Sequence, residues 1–189
     1  MIYIPQKIKS IVGGQKPGTD SVGMSRARVL LYEKMVLKVE EESEETVHEA
    51  QALGWLQGRL PVPKVICHES HEKMSYLLMS RLPGTMACDK LLMGDPERLT
   101  AILARGLEML WQVQTQDCPF DSGLDRKLEM ARYQVEHDLV DVDDAEPDTF
   151  GEGRFRDPRE LLAWLEQNRP EEDPVFSHGD YCLPNIFVE

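Results

Sequence analysis

The chain changes its periodicity once, at Arg81-Leu82-Pro83-Gly84, and that change limits the folds open to it. Upstream, the apolar stretches Arg28–Glu33 (RVLLYE) and Met35–Val39 (MVLKV) flank Lys34 and predict a hairpin, with Lys38 near the end of its second strand. Glu41–Leu60 (EESEETVHEAQALGWLQGRL) places Val47, Leu53, Leu56 and Leu60 at near-helical spacing behind an acidic first turn, which suits the positive end of a helix dipole. Pro61 and Pro63 are expected to end that helix, and Lys64–His68 and Ser75–Ser80 read as two further strands. Downstream of the change the texture is helical. Asp95-Pro96 supplies a cap and a first-turn proline for a stripe of Leu99, Ile102, Leu103, Leu107 and Leu110. Asp157-Pro158-Arg159-Glu160 opens another helix with a capping-box-like pair, followed by Leu161, Leu162, Trp164 and Leu165. The expectation is an α+β chain: strands plus one helix to about residue 80, then a mainly helical part.

Composition excludes several classes. The 189 residues contain no apolar run of 18, so no membrane-spanning helix is expected. The start, Met1-Ile2-Tyr3-Ile4-Pro5-Gln6-Lys7, lacks the features of a secretory signal, and the expected address is the cytoplasm. Cys67, Cys88, Cys118 and Cys182 show no paired spacing and read as reduced, structural thiols rather than a zinc site or a disulfide frame. The net charge of −13 is uneven: residues 1–38 hold seven Lys or Arg against two Asp or Glu, a balance of +5 that leaves −18 for the rest. Nucleic-acid and membrane partners are not expected, since a net acidic surface repels phosphate polymers and favours cationic partners. Glu136–Asp148 (EHDLVDVDDAEPD) holds seven carboxylates and no Lys or Arg; by itself such a run reads as a solvated loop.

The chemistry concentrates near the C-terminus, in Val175-Phe176-Ser177-His178-Gly179-Asp180-Tyr181-Cys182-Leu183-Pro184-Asn185-Ile186-Phe187-Val188. An eight-residue polar loop between two short apolar strands fits this string. Isolated His, Asp and Asn serve turns as often as chemistry. An Asp and an Asn five apart, however, can aim at one place: the Asp to orient a hydroxyl and accept its proton, the Asn carbonyl to bind magnesium, as in a kinase catalytic loop. Gly13 and Gly18 bracket four residues in a P-loop-like way, but the following Lys that such a loop needs is absent, so that reading is rejected.

HGDYCLPN at 178–185 resembles the HGDxxxxN loop of the aminoglycoside phosphotransferase and choline kinase group, whose fold is similar to that of protein kinases. VGMSRARV at 22–29, LPVPKV at 60–65, LLMS at 77–80, DCPF at 117–120, DPREL at 157–161 and VFSHGD at 175–180 resemble the type III aminoglycoside 3'-phosphotransferases, and the likeness runs through nearly the whole chain. The resemblance implies a protein-kinase-like two-lobe fold: an N-terminal nucleotide-binding lobe at 1–80 with an antiparallel sheet and one helix, a hinge at 81–84, and a mainly helical C-terminal lobe from 85 to 189 that is incomplete in this chain. It implies ATP and Mg2+, with Lys38 on the α- and β-phosphates, Glu49 aiming that lysine, Asp180 as catalytic base and Asn185 on the metal. Ser25, in the turn over the phosphates, is the candidate phosphate contact. Ser80 and Leu82 of the hinge would pair with the adenine edge. His178 would brace the loop; Tyr181 and Cys182 receive no chemistry. Where close relatives place an aromatic residue two before the strand lysine, this chain has Val36, which removes a stacking face worth about 1 kcal/mol. The acidic run falls at the family's substrate loop, so Asp144, Glu146 and Asp148 become candidates for binding a polycationic aminoglycoside.

The resemblance also implies a further magnesium-binding aspartate and C-terminal helices beyond the catalytic loop, whereas the sequence ends at Glu189, four residues after Asn185. The 189 residues alone are therefore expected to have little or no activity. The leading expectation is transfer of the ATP γ-phosphate to a hydroxyl of a kanamycin- or neomycin-type aminoglycoside. The alternatives are a kinase of another small alcohol, such as a sugar, choline or homoserine, and an inactive fragment or pseudokinase.

Overall fold

Apolar alternation along β3 (Met35–Glu41) orients the sheet, because Leu37 and Val39 are buried while Lys38 and Glu40 point to the opposite face. The protein is described by a computed structural model covering residues 2–19, 27–146, 148–151 and 154–189. β3 pairs with β2 (Arg28–Leu31) on one side and β5 (Met74–Ser80) on the other. With β1 (Gly18–Thr19) and β4 (Val65–His71) they form an antiparallel sheet ordered β1-β2-β3-β5-β4. The expected hairpin and the two later strands are all present.

One face of this sheet is covered by α1 (Gln6–Val12), a helix without a side-chain cap to announce it in the sequence. Its Ile8 and Val12 pack into Leu30, Tyr32, Leu37, Val39, Cys67, Tyr76 and Leu78. Beyond the other face's Lys38 lies α2 (Glu44–Leu56), capped by Ser43, whose hydroxyl and backbone exchange hydrogen bonds with Thr46. This helix is shorter than expected and is not ended by Pro61 and Pro63. The backbone turns extended at Gln57, whose amide donates to the Pro63 carbonyl at 3.4 Å.

The chain divides into two compact units, Met1–Gln114 with Val175–Glu189, and Thr115–Pro174. The first also holds β6 (Thr85–Met86), α3 (Lys90–Met93), α4 (Pro96–Trp111), a 3-10 turn at Leu183–Asn185 and β7 (Phe187–Val188). Asp95 caps α4 through the Arg98 N–H, as its sequence predicts. A correction concerns the segment around 178–185: residues 175–178 form no strand, and only the apolar pair after the loop does so, as β7 against β6. β6 itself is too short and too polar in context to be seen as a strand without its partner.

The second unit packs α5 (Leu124–Glu136) on α6 (Pro158–Gln167) through Leu128, Val135 and Leu162, with Leu124, Ala131 and Val140 around them. Arg132 bridges the two helices to Glu166 at 2.5 Å, and Arg169 pairs with Asp125. Asp157 caps α6 through the Arg159 and Glu160 N–H groups. The expected reciprocal half of a capping box is displaced by one residue, since Glu160 accepts from the Arg156 N–H and guanidinium instead. Among the described residues no helix is long and apolar enough to cross a membrane.

The β4–β5 hairpin has a two-residue turn, Glu72-Lys73, with both residues at positive φ, 49° and 63°. Neither side chain favours that region, which suits Asn-Gly. The double replacement Glu72→Asn, Lys73→Gly is expected to raise unfolding free energy by about 1–2 kcal/mol, read as a higher urea midpoint at unchanged slope. An unchanged or lower midpoint would contradict this turn geometry.

Candidate active site

The site begins with a charge that the sheet forces onto its open face. Cross-strand register aligns Val29, Lys38, Leu77 and His68 in one row, with Leu77 almost fully buried beside the lysine stem. The ammonium cannot remain unpaired there. Lys38 Nζ donates to Glu49 Oε2 of α2 at 2.7 Å and lies 2.8 Å from Glu40 Oε1 on its own strand. Burial pulls the Lys38 pKa down, but hydrogen bonds and charge from Glu40 and Glu49 outweigh it and hold the ammonium above the usual lysine range. The stabilisation from this pairing is therefore complete at neutral pH and is lost only as pH rises through that elevated value. The trio opens into a cleft of about 790 Å³ that Arg28, Thr46 and Tyr76 also line. Glu40 was not among the residues expected here, although its place two after Lys38 on a strand assigns it to the same face.

The residues expected to contact adenine are partly committed to the sheet. The Ser80 N–H donates to the Lys64 carbonyl, and the Ser80 hydroxyl accepts from the Lys64 N–H, both at 2.8 Å. An adenine contact from Ser80 would thus use its carbonyl. Leu82 is half-buried. Gly84 has φ +84° and would bring a Cβ to 2.3 Å from the Val188 carbonyl oxygen, so only glycine lets this segment approach β7 so closely. Ser25 lies outside the described residues. Gly13 ends α1 and Gly18 enters β1, in keeping with the rejection of a P-loop there.

The structure brings Asp180 and Asn185 together. Asn185 Nδ2 donates to Asp180 Oδ2 at 2.9 Å and to the Asp180 carbonyl at 3.2 Å, so the amide fixes the carboxylate and presents its own Oδ1 on the other arm. Partial desolvation, then the Asp180 carboxylate beside it, push the Cys182 thiol up, away from the thiolate form. The His178 ring meets Tyr181 edge-on at 5.7 Å.

Tyr181, expected to carry no chemistry, anchors the loop. Its hydroxyl donates to the Leu103 carbonyl of α4 at 2.9 Å. The room for it exists because position 106 is glycine: a Cβ there would stand 2.0 Å from the hydroxyl oxygen. On the other side of the loop, Phe176 stacks obliquely on Trp55 of α2 at 5.5 Å. Asp144, Glu146 and Asp148 are solvent-exposed in the Thr115–Pro174 unit, in turns after α5 rather than in a regular element.

Comparison with known proteins then decides the lineage. The model of the phosphotransferase enzyme family (APH) matches residues 20–189. The chain belongs to that family. It is 34% identical over 198 residues to an aminoglycoside 3'-phosphotransferase of Enterococcus faecalis, covering 98% of this chain and 74% of that one. It is likewise 34% identical over 197 residues to an aminoglycoside 3'-phosphotransferase of Staphylococcus aureus, covering 98% and 73%. Its fold is similar to the crystal structure of a type VIII aminoglycoside 3'-phosphotransferase, with a TM-score of 0.71 and 25% identity over 97% of this chain and 70% of the other. The α+β, kinase-like fold expected from the sequence is thus the fold of this phosphotransferase-family chain.

The Tyr181 anchor makes a coupled prediction. Gly→Ala inside a helix normally stabilises by about 1 kcal/mol. In this phosphotransferase-family chain Gly106→Ala should instead destabilise by about 1–3 kcal/mol, because the methyl displaces the hydroxyl. In a Tyr181→Phe background the same change should cost clearly less, leaving a coupling of about 1 kcal/mol or more in a denaturation double-mutant cycle. Additive effects would mean that the two positions do not touch.

Proposed function

We propose that the protein is an ATP-dependent aminoglycoside 3'-phosphotransferase, transferring the γ-phosphate to a hydroxyl of a kanamycin- or neomycin-type drug. The observation that carries this reading is the Asn185–Asp180 contact, since it supports a carboxylate held ready to orient a hydroxyl and take its proton. Both relatives named above are aminoglycoside 3'-phosphotransferases, which favours a drug substrate over choline, homoserine or a simple sugar.

In this reading Lys38 binds the α- and β-phosphates and Glu49 aims it, while Ser25, Ser80 and Leu82 contact the nucleotide. Residues 1–80 form the nucleotide-binding lobe, 81–84 the hinge, and 85–189 carry the catalytic loop and substrate loop. Asp144, Glu146 and Asp148 attract the ammonium groups of the drug and help to hold the sugar. The Asn185 carbonyl oxygen beside a carboxylate is a hard oxygen donor set that fits Mg2+. Bound there, the ion would neutralise charge on the phosphate oxygens. Asp180 then performs the proton step: it accepts the hydroxyl proton as the alcohol oxygen attacks γ-phosphorus, and ADP leaves.

Kanamycin-dependent ADP release by the full-length protein is the test. Asp180→Asn should reduce the rate by about 10²–10⁴-fold while leaving drug and nucleotide affinity within a few-fold. Release driven by choline or a simple sugar and indifferent to kanamycin would overturn the substrate assignment. An Asp180→Asn enzyme of wild-type rate would overturn the role of the loop.

A further inference from the structure

Lys38 has more acceptors than it has protons to give. An ammonium carries three N–H donors. On the reading above, Glu49, an α-phosphate oxygen and a β-phosphate oxygen would use all three. Glu40 is a fourth acceptor, already 2.8 Å from Nζ. The two carboxylates also leave the trio with a net charge of −1, so a triphosphate would approach a lysine that is over-neutralised.

The two contacts differ in origin. Glu49 reaches Lys38 from α2, eleven residues along the chain, so its contact depends on where that helix sits. Glu40 stands two residues from Lys38 on the same face of the same strand, so its contact forms whatever α2 does. Its side chain is also the more shielded of the two carboxylates, 23% exposed against 35% for Glu49. Both carboxylates hold the lysine in this structure, but the local, shielded one keeps its contact whether or not α2 keeps Glu49 in place.

We propose that Glu40 is a resting counterion of Lys38, a built-in competitor that nucleotide phosphates displace, and that this side chain therefore sets nucleotide affinity. The proposal rests on the reading of Lys38 as the phosphate-binding lysine. Glu40 is a positioning residue: it acts through Lys38, and removing its charge releases one donor and one repulsive charge together. Glu40→Gln keeps the shape and an acceptor oxygen but not the charge.

The experiment is calorimetric titration of the full-length protein with Mg-ATP, comparing wild type, Glu40→Gln, Glu40→Ala, Lys38→Met and the double variant Lys38→Met, Glu40→Gln. Circular dichroism melts confirm that each is folded. Glu40→Gln is expected to bind Mg-ATP about 3–20-fold more tightly than wild type, with Glu40→Ala moving in the same direction. The gain should vanish in the Lys38→Met background. Binding by Glu40→Gln and Glu40→Ala that equals or falls below wild type overturns the proposal and makes Glu40 a bracket that helps Lys38. A gain that persists without Lys38 also overturns it. Wild-type affinity in Lys38→Met, or no binding by any variant, overturns instead the phosphate-site reading of Lys38, and this proposal with it.

Discussion

Leu37 is fully buried at the centre of the sheet, and the burial of that one side chain fixes the register on which the site depends. β3 is flanked by β2 and β5, so a slip by one residue would turn Leu37 out and drive Lys38 into the apolar cluster under α1. An unpaired ammonium there would cost more than the register could recover. With Leu37 and Val39 committed to α1, Lys38 must stand on the other face, where Leu77 shields its stem. A partly shielded charge then calls for counter-charges, and Glu49 and Glu40 supply them. The Lys38 environment thus follows from apolar packing on the opposite side of the sheet.

Much of this fold was legible because its signals are local. The hairpin strands are short apolar runs on either side of Lys34, and α4 and α6 announce themselves with Asp-Pro starts and apolar stripes. α1 and α5 escaped for a common reason: neither carries its own cap. Pro5 offers no side-chain cap to α1, and α5 starts at Gly123, whose N–H is satisfied by Asp121 while the Leu124 N–H is satisfied by Glu172, 48 residues away. Leu124, Leu128, Ala131 and Val135 do repeat at helical spacing, but the intervening positions are charged enough to mask the stripe. The strand expected before the 178–185 loop failed to form because two apolar residues pair only where a partner strand exists. Phe187 and Val188 find theirs in β6, and Val175 and Phe176 do not.

The candidate site divides along the same line. Asp180 and Asn185 are readable from spacing, since five residues across a tight loop suffice to bring amide and carboxylate together. Lys38 and Glu49 are readable from resemblance, as a strand lysine and a helix glutamate. Tyr181 is not readable: its partner Leu103 is 78 residues distant, and the glycine that admits it looks in sequence like a weak point in α4. Gly106 costs intrinsic helix stability and yields a place for the tyrosine, a local conflict of the kind that marks functional ground.

The loop at 178–185 is consequently held at three points within one compact unit. Tyr181 ties its middle to α4, β7 ties its exit to β6, and Phe176 rests its entrance against Trp55. The last of these joins the two halves of the site. Trp55 is on the same helix as Glu49, so α2 presents a carboxylate to Lys38 near its middle and an aromatic face to the loop near its end. A helix moves as a rigid body over such a span. A shift of α2 large enough to break Glu49 from Lys38 must therefore also disturb the seat of Phe176, four residues before Asp180. Glu40, bound to the strand, is untouched by such a shift and keeps the lysine paired, so the sheet face stays neutralised while the helix and loop change together.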